Sequence, residues 1–473
     1  FMNQNNISTA ELFQRVRELL ILPELEPKTR NKMMHDTLIL CCHEGVKETK
    51  QAFGNLFSQV DYLCKAHGIK VADKIAIQTM RRHSNSQEPL SSEDLKYDAR
   101  ALAIFISAVF GVDVPHELNV LIPHTNRPYQ KGLEINNRRI RCIVKNWDSD
   151  FIRVDIDQDA DEEEYLVQLK DEENHIDHTY LWDILKEGMQ LNLLDCQVKQ
   201  PVITPRLIVV EPDYQVDISS IATCFTAFGH HPLLYLLNQM KPRANTQATL
   251  LGNFAGAALD DIINTNGKYQ MNETIKTNFR EKALEFCTCP WFDAKKFYTD
   301  ANLQAYNLQQ VVDILFPRTA SQAQMSAFRG ESLYDRKKAI LEPSFVCEAL
   351  GIQGRVDLMT TDCKLLVEQK SGRNMNIETH QVDPGYHSYQ LEPHYVQLLL
   401  YYGVLQHNVK LSNDRVNIRL LYSKYQPQDG LMVVAYYHKL FQEAITYRNQ
   451  LVAASFEIAR EGFEHALNEF TPE

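Results

Sequence analysis

The chain has 473 residues, of which 44% are hydrophobic, and its formal net charge at pH 7 is −12. This length corresponds to about three domains of ~150 residues, each long enough to bury a hydrophobic core. No apolar run approaches the roughly 18 residues of a membrane span and no signal peptide is evident, so the sequence predicts a cytoplasmic protein without a membrane partner. The negative charge excludes a generally basic coat, although a local positive groove suffices for binding nucleic acid.

The first part of the chain has the apolar spacing of helices. Amphipathic segments begin near Thr9, Asn55 and Ser91, and each repeats its apolar residues with helical spacing. Residues 1–115 are therefore predicted to form a helical domain. No pattern in these residues predicts a chemical site, so a docking or supporting role is expected for them.

The pattern changes to strands after about residue 116. Three predicted strands are followed by a short helix and two further strands: Arg139–Trp147, Asp150–Asp157, Tyr165–Asp171, the helix Thr179–Gly188, Met189–Lys199 and Arg206–Asp217. This order matches the oligonucleotide/oligosaccharide-binding (OB) barrel, which binds single strands through a basic groove and stacking aromatic residues. Residues 116–219 are therefore predicted as an OB-like barrel, with Trp147, Phe151 and Tyr165 as candidates either for base stacking or for the barrel core.

Helical spacing returns over residues 225–335. The remaining part is predicted to hold five strands and two helices: Ala339–Leu350, Gly351–Thr360, Lys364–Gln369, Val416–Tyr425 and Gly430–Tyr437 as strands, Glu392–His407 as a helix, and a long helix from about His438 to Glu469. The chain as a whole is therefore predicted to be a multidomain α+β protein.

The most specific pattern combines three short motifs between Gly354 and Tyr401. They read GRVD (Gly354–Asp357), VEQKSG (Val367–Gly372) and QLLLY (Gln397–Tyr401). The second motif ends a predicted buried strand in Glu and Lys, which is unusual unless the two are paired or functional. Alone, E-x-K is usually a surface ion pair, but the order and spacing of the three motifs are typical of a metal-dependent nuclease.

The residue types in these motifs suit phosphodiester hydrolysis. Asp357 and Glu368 can supply two carboxylates to Mg²⁺ or Mn²⁺, and such an ion activates water and relieves the charge on the phosphate. Alternate side chains of a strand share a face, so Glu368 and Lys370 point the same way, while Gln369 can offer its backbone carbonyl as a further metal ligand. Lys370 is then predicted to orient the attacking water or to neutralise the phosphate.

A helix is predicted to begin near Glu392 and to run through His407. Gln397 and Tyr401 are four residues apart and therefore lie on one face of this helix. They are predicted to hold a DNA phosphate or the side chain of Lys370. The alternative is that Tyr401 packs in the core and that Gln397 is a half-exposed neighbour.

These residues resemble the RecB-like branch of the PD-(D/E)XK nuclease superfamily. Upstream, Leu207–Cys224 and Leu250–Ile263 are similar to the entry of the nuclease domain in flap-processing nuclease–helicases, so the resemblance covers residues 207–473. It implies that residues 220–473 form an α/β core like that of restriction endonucleases, which cuts single-stranded or flapped DNA in replication, recombination or repair with Mg²⁺ or Mn²⁺. It also implies a helicase motor, which is expected C-terminal to this chain in the full-length protein because no Walker A motif occurs here.

The sequence departs from that family pattern at two places. Gly256 occupies the position of a metal-binding histidine, whereas Asp260 falls where the family often has a carboxylate and is a candidate metal ligand. Cys224 matches the first of four iron–sulfur cysteines, but no cysteine follows Cys363, so no iron–sulfur cluster is predicted. The missing histidine leaves an alternative function, in which a degenerate nuclease only clamps DNA for a helicase.

Overall fold

A computed structural model of the chain describes residues 8–22, 24–128, 138–157, 164–382, 385–386, 388–409 and 416–470. The chain divides into two compact units, which are Phe1–Tyr214 with Ala453–Asn468, and Gln215–Val452 with Glu469–Glu473. Both helices and strands contribute to the fold, so the predicted α+β class is confirmed. None of the helices in the described ranges is both long and apolar enough to cross a membrane.

The first unit begins with a group of helices. Within residues 8–22 and 24–128 these are α1 (Thr9–Ile21), α2 (Pro27–Gly45), α3 (Leu56–Ala66), α4 (Val71–Asn85), α5 (Ser92–Phe110) and α6 (His116–Asn119). Reciprocal capping boxes start two of them, between Ser8 and Glu11 and between Ser91 and Asp94, since each side chain bonds the backbone N–H of the other residue. Their apolar faces enclose one core, so the predicted helical character of this region is confirmed.

A closed five-stranded barrel follows in the same unit. Within residues 138–157 and 164–214 the strands are β1 (Arg139–Trp147), β2 (Phe151–Ile156), β3 (Tyr165–Gln168), β4 (Lys170–Asp171), β5 (Ile176–Asp177), β6 (Gln190–Lys199) and β7 (Val202–Val210). Strands β4 and β5 form a separate two-stranded sheet, and the other five form the barrel. The order around the barrel is β1-β2-β3-β7-β6, and β6 closes it on β1. Strands β3 and β7 pair in parallel, whereas the other neighbours in the barrel pair antiparallel. A closed barrel in this region is therefore confirmed, and its OB-like identity stays a prediction.

Two predicted barrel segments differ from the structure. The helix predicted over Thr179–Gly188 is a 3₁₀ segment that ends at Asp183. The last predicted strand is divided, because β7 ends at Val210 and Glu211 turns the chain with a φ of 43°. What remains of that predicted strand pairs in the second unit.

The aromatic candidates of the barrel lie mainly against its interior. Tyr165 is only 2% exposed and belongs to the barrel core, while Trp147 packs on that core from a partly buried position. Phe151 is half-buried at the start of β2. For Tyr165, core packing is therefore the alternative that the structure supports.

The second unit opens with short elements and a set of helices. Within residues 215–335 they are β8 (Val216–Asp217), α7 (Ile218–Ala222), β9 (Phe225–Thr226), β10 (Gly229–His230), α8 (Leu233–Met240), α9 (Gln247–Asn264), α10 (Met271–Glu281), α11 (Ala283–Thr288), α12 (Ala294–Leu315) and α13 (Ala320–Phe328). The predicted helical character of residues 225–335 is confirmed, apart from the β9–β10 hairpin. Phe254 of α9 and Ala301 of α12 share one core with Leu365 and Val367 of the sheet that follows.

The rest of the chain supplies the sheets of the second unit and the helices between their strands, and its residues Ala453–Asn468 belong to the first unit. Within residues 336–382 and 388–470 the elements are β11 (Ala339–Leu341), β12 (Ser344–Cys347), β13 (Ile352–Arg355), β14 (Leu358–Thr360), β15 (Leu365–Lys370), α14 (Met375–Thr379), α15 (Glu392–Asn408), β16 (Asn417–Tyr422), α16 (Pro427–Gly430), β17 (Leu431–Val433), α17 (His438–Glu461) and α18 (Phe463–Phe470). The helix predicted from Glu392 is confirmed as α15.

The main sheet of this unit has the strand order β11-β14-β15-β16-β17, and β12-β13-β8 forms a smaller sheet. Strands β15 and β16 pair in parallel, and the other neighbours of the main sheet pair antiparallel. Parallel neighbours need a long crossover, and α15 lies in this connection. Strand β15 is buried from Leu365 to Gln369, and its charged residues, Glu368 and Lys370, lie at the end of an otherwise largely apolar strand.

The predicted single C-terminal helix is wrong, since α17 and α18 are separated at Gly462. Gly462 has a φ of 91°, a conformation that a residue with a Cβ atom rarely adopts. Apolar residues continue with helical spacing on both sides of this glycine, so the spacing alone predicts one uninterrupted helix.

Replacement by alanine should have opposite effects on stability at two helical glycines. A Cβ atom at Gly403 of α15 would clash with the ring of Phe441 on α17, whereas a Cβ atom at Gly256 of α9 would meet open space. We expect Gly403→Ala to lower the free energy of unfolding by about 1–3 kcal/mol through overpacking. Gly256→Ala should raise it by up to about 1 kcal/mol through helix propensity. Urea unfolding followed by circular dichroism measures both, and equal effects would contradict this packing.

Candidate active site

Asp357, Glu368 and Lys370 come together at one end of the main sheet. Asp357 lies between β13 and β14, and the other two residues end β15. Strands β14 and β15 pair antiparallel with Leu358 opposite Val367, so the next residues outward are Asp357 and Glu368. Pairing of the two strands therefore places residues from two separate motifs side by side.

Two hydrogen bonds fix this arrangement. The backbone N–H of Gln369 donates to Oδ2 of Asp357 at 2.6 Å, and Nζ of Lys370 donates to Oε1 of Glu368 at 2.7 Å. The side chain of Gln369 points to the opposite face, where its amide donates to Oγ of Ser423 at 3.3 Å. The alternation predicted for this strand is therefore confirmed.

Glu368 is a buried acid with one carboxylate oxygen unused. The residue is 5% exposed, and its Oε2 has no hydrogen-bond partner among the described residues. Burial, followed by the charge of Asp357, raises the pKa of Glu368 to about 7, although the ammonium of Lys370 opposes this. A divalent cation beside Oε2 would supply the partner that the protein does not.

Asp260 on α9 belongs to the same electrostatic neighbourhood. Burial, and then the charges of Glu342 and Asp357, raise the pKa of the Asp260 carboxyl to about 7. Burial also raises the pKa of Asp357, with a smaller contribution from Glu342, while the N–H of Gln369 and the ammonium of Lys370 act in the opposite direction. Buried acids that lie close together repel one another when ionised, and a bound cation would reduce this repulsion.

The ligands offered to a cation are two carboxylates and one carbonyl. The N–H and C=O of a strand residue point to the same side, so the carbonyl of Gln369 faces Asp357 as its N–H does. Across the described residues, no group of three or more His, Cys, Asp or Glu side chains has an arrangement that could hold a metal ion. Asp260 is thus not placed as a third carboxylate ligand, although its charge acts on the site. Water would complete the coordination shell of Mg²⁺.

The two predicted helix residues have different surroundings. Tyr401 is buried, and its hydroxyl donates to the backbone carbonyl of Arg355 at 2.7 Å instead of reaching Lys370. Gln397 is half-buried, and its Oε1 has no hydrogen-bond partner among the described residues. Tyr401 therefore holds the strand that leads to Asp357, while the Oε1 of Gln397 is an acceptor that could take a hydrogen bond from another group.

The glycine of the GRVD motif makes room for this tyrosine. A Cβ atom at Gly354 would lie 2.9 Å from Cε1 of Tyr401 and 3.2 Å from Cδ1 of Ile218. The close approach of ring and backbone thus requires glycine, and it keeps the Tyr401 hydroxyl within reach of Arg355.

The sequence patterns do not reveal Glu342, which lies beside Asp357. Its backbone N–H donates to the carbonyl of Asp357 at 2.9 Å, and its carboxylate pairs with Arg355 at 3.3 Å. Glu342 also has a φ of 48°, which is uncommon for a residue with a side chain. Pro343, inside a predicted strand, is the available signal, because proline interrupts regular strand pairing.

A scan against models of known protein families finds none that matches the chain, and a search of curated proteins finds no match. The resemblance to RecB-like nucleases therefore rests on the motifs alone and stays a prediction. The contacts among Asp357, Glu368 and Lys370 do not depend on that resemblance.

The raised pKa of Glu368 predicts that cation binding depends on pH. The folded, metal-free protein keeps a proton that the unfolded chain loses between the ordinary Glu pKa of 4.5 and about 7, so this group lowers stability as the pH rises through that window. A cation displaces the proton, so binding weakens below pH 7. We expect the apparent affinity for Mn²⁺ to be about 10-fold lower at pH 6 than at pH 8.

Thermal unfolding at increasing MnCl₂ concentrations, at the two pH values, measures this difference. Glu368→Gln is the control, since it removes the titrating group and should abolish most of the stabilisation by Mn²⁺. Equal stabilisation at pH 6 and pH 8 in the unaltered protein would show that no buried acid must lose a proton on binding.

Proposed function

We propose that the chain is a divalent-metal-dependent DNA nuclease module of the PD-(D/E)XK type, acting on single-stranded or flapped ends. The observation that carries the proposal is the contact of groups from separate motifs. Asp357 is bonded to the backbone of Gln369, and the residues on either side of Gln369, Glu368 and Lys370, form an ion pair. A buried acid, a half-buried acid and an amine, held together by these bonds, are the groups that metal-assisted phosphodiester hydrolysis requires.

Each of these residues has a distinct task in the proposal. Asp357, Glu368 and the carbonyl of Gln369 would hold Mg²⁺ or Mn²⁺, and the ion, when bound, would supply charge relief to the phosphate and a more acidic water. Nζ of Lys370 donates to Glu368, and from this position it can contact phosphate oxygens and stabilise the charge that develops on them. Because the site is largely buried, these charge interactions are stronger than they would be in water.

Tyr401 and Gln397 are positioning residues in this proposal. Tyr401 holds the carbonyl of Arg355 and so fixes the turn that carries Asp357. The amide of Gln397 lies one helical turn before Tyr401 on the same face, and it can donate to a phosphate of the bound strand.

The arrangement of the sheets and the barrel supports the same assignment. The strand that ends in Glu368 and Lys370 has an antiparallel neighbour carrying Asp357 and a parallel neighbour reached through α15. In the first unit, three strands, a 3₁₀ segment and two strands form the closed barrel, as expected for an OB-like module that would bind single-stranded DNA. We therefore propose DNA as the partner, whereas the helicase motor is proposed from the resemblance alone.

A DNA clamp for a helicase is the second candidate, and Gly256 is the observation that favours it. Gly256 lies one helical turn before Asp260 on α9, and a Cβ atom there would meet open space. The ligand set is therefore smaller than the family pattern implies. A chain with a weakened cation site would bind DNA without cutting it.

Removing either an acid or the amine should abolish cleavage. We expect Asp357→Ala and Lys370→Ala each to slow Mn²⁺-dependent cleavage of a labelled flapped oligonucleotide by about 100-fold or more, because each removes a charge needed at the phosphate. The matched controls are Asp362→Ala and Lys338→Ala, which break an ion pair of 3.4 Å between two more exposed side chains. They should change the rate by no more than about twofold.

Binding of the same oligonucleotide, measured by fluorescence anisotropy, separates the two candidates. Binding without cleavage by the unaltered chain would favour the clamp and rule out the nuclease. Absence of binding at low salt would rule out both, since phosphate contacts are strongest there and weaken steeply as salt increases.

A histidine at the open position on α9 should strengthen the cation site. We expect Gly256→His to raise the apparent affinity for Mn²⁺ by about 10-fold or more, because it adds a neutral metal-binding imidazole on the helix whose Asp260 feels the charge of Asp357. Isothermal titration calorimetry measures the change, and Gly256→Leu is the control of similar bulk without a ligand atom. If histidine and leucine behave alike, position 256 does not face the cation.

A further inference from the structure

A short hairpin in the second unit presents one aromatic ring to solvent. Strands β9 and β10 pair with Phe225 opposite His230 and Thr226 opposite Gly229, and Ala227 and Phe228 form the tip. The side chain of Phe228 is fully exposed. No charged side chain occurs from Phe225 to Gly229, so the tip is suited to an apolar or stacking contact rather than to phosphate.

The tip of this hairpin is held in one conformation. The hydroxyl of Thr226 donates to the carbonyl of Gly229 at 2.8 Å and accepts the backbone N–H of Phe228 at 3.3 Å. Gly229 has a φ of 148°, a conformation that other residues rarely adopt. The backbone beneath Phe228 is therefore fixed by the residues on both sides of it.

The base of the hairpin is anchored to two helices. The imidazole of His230 lies between Glu392 of α15, at 2.6 Å from Nε2, and Glu443 of α17, at 2.7 Å from Nδ1. Phe225 is buried, and its ring centroid lies 4.7 Å from that of His230 and 5.4 Å from that of Tyr447. Because the hairpin is anchored in this way, the exposed ring at its tip loses little conformational entropy when it makes a contact.

The anchor connects the hairpin to the candidate active site. Glu392 is the first residue of α15, and His394 follows in the same turn. Nδ1 of His394 lies 3.0 Å from the hydroxyl of Tyr422, and Tyr422 on β16 is paired with Lys370 on β15, so this turn of the helix lies near the amine of Lys370. Gln397 and Tyr401 occupy the next two turns of the same helix.

We propose that Phe228 is a stacking pin for the nucleic-acid strand that enters this site, and that it sets the position of the junction between paired and unpaired bases. The inference rests on the proposed function and names the residue that would select flapped ends. Stacking of one base on an aromatic ring contributes about 1–3 kcal/mol and tolerates any sequence. A single ring on a narrow hairpin has room for one base, whereas a stable protein partner needs about 800 Å² on each side.

The test uses the full chain and a flapped DNA duplex with 2-aminopurine as its first unpaired base. Titration in EDTA prevents metal-dependent cleavage, and stacking on Phe228 should change the fluorescence of the 2-aminopurine. We expect Phe228→Ala to abolish this change and to weaken flap binding by about 5- to 100-fold, while Phe228→Trp retains both. Thr226→Val, which unlocks the tip, should weaken binding less than Phe228→Ala does.

Phe328→Ala is the matched control, because Phe328 is another strongly exposed phenylalanine, at the end of α13. It should bind the flap as the unaltered chain does. If Phe228→Ala also behaves like the unaltered chain, or if the unaltered chain gives no fluorescence change, the pin is refuted.

Cleavage in Mn²⁺ separates this inference from the proposed function. Loss of the fluorescence change in Phe228→Ala, together with no cleavage by the unaltered chain, would support the pin and refute the nuclease. With active protein, Asp357→Ala should keep the fluorescence change and lose cleavage. Phe228→Ala should instead cut an unpaired strand at the normal rate and lose its preference for the flap.

Discussion

The alternation of side chains along β15 determines which residues face the candidate active site and which face the opposite side of the sheet. Gln369 faces the side of α12, where Ser423 donates to Gln304 and Gln304 donates to the backbone of Ser371 at 2.9 Å. Glu368 faces the other way, toward Tyr401, whose pKa is raised by burial and then by this carboxylate. A register shift of one residue would exchange the two faces and place charges where the polar chain now lies. The hydrogen bonds of Gln369 therefore keep Glu368 in the site.

The arrangement that results is electrostatically unfavourable without a cation. Glu368 is buried and Asp357 is half-buried, and the ammonium of Lys370 donates a hydrogen bond to Glu368. Burial of an unpaired carboxylate costs several kcal/mol, and the left-handed backbone of Glu342 adds roughly 1–3 kcal/mol of strain. A protein under selection for stability alone would replace such residues. Their concentration around one turn is typical of a functional site.

Much of this could be predicted, because the signals are local in the sequence. The strand that ends in E-x-K, the helix from Glu392 and the barrel strands follow from the spacing of apolar residues. The hydrogen bond of the Tyr401 hydroxyl could not be predicted in this way, since its acceptor is a backbone carbonyl 46 positions earlier in the chain. Glu342 was missed for a similar reason, because only the pairing of β11 with β14 brings it beside Asp357. Pairing of distant strands is not encoded in any short pattern.

The charges of the site also bear on the choice between cutting and clamping. Acids outnumber basic side chains there: Asp260, Asp261, Glu342, Asp357 and Glu368 lie near Lys370 and Arg355. In the absence of a cation this surplus of acids repels phosphate, so a chain that only clamps DNA would bind better with neutral residues in their place. A bound divalent ion reverses the local charge and makes the same acids useful. With glycine at position 256 the carboxylate pair is still present, and the proposed nuclease accounts for acids that the proposed clamp leaves unexplained.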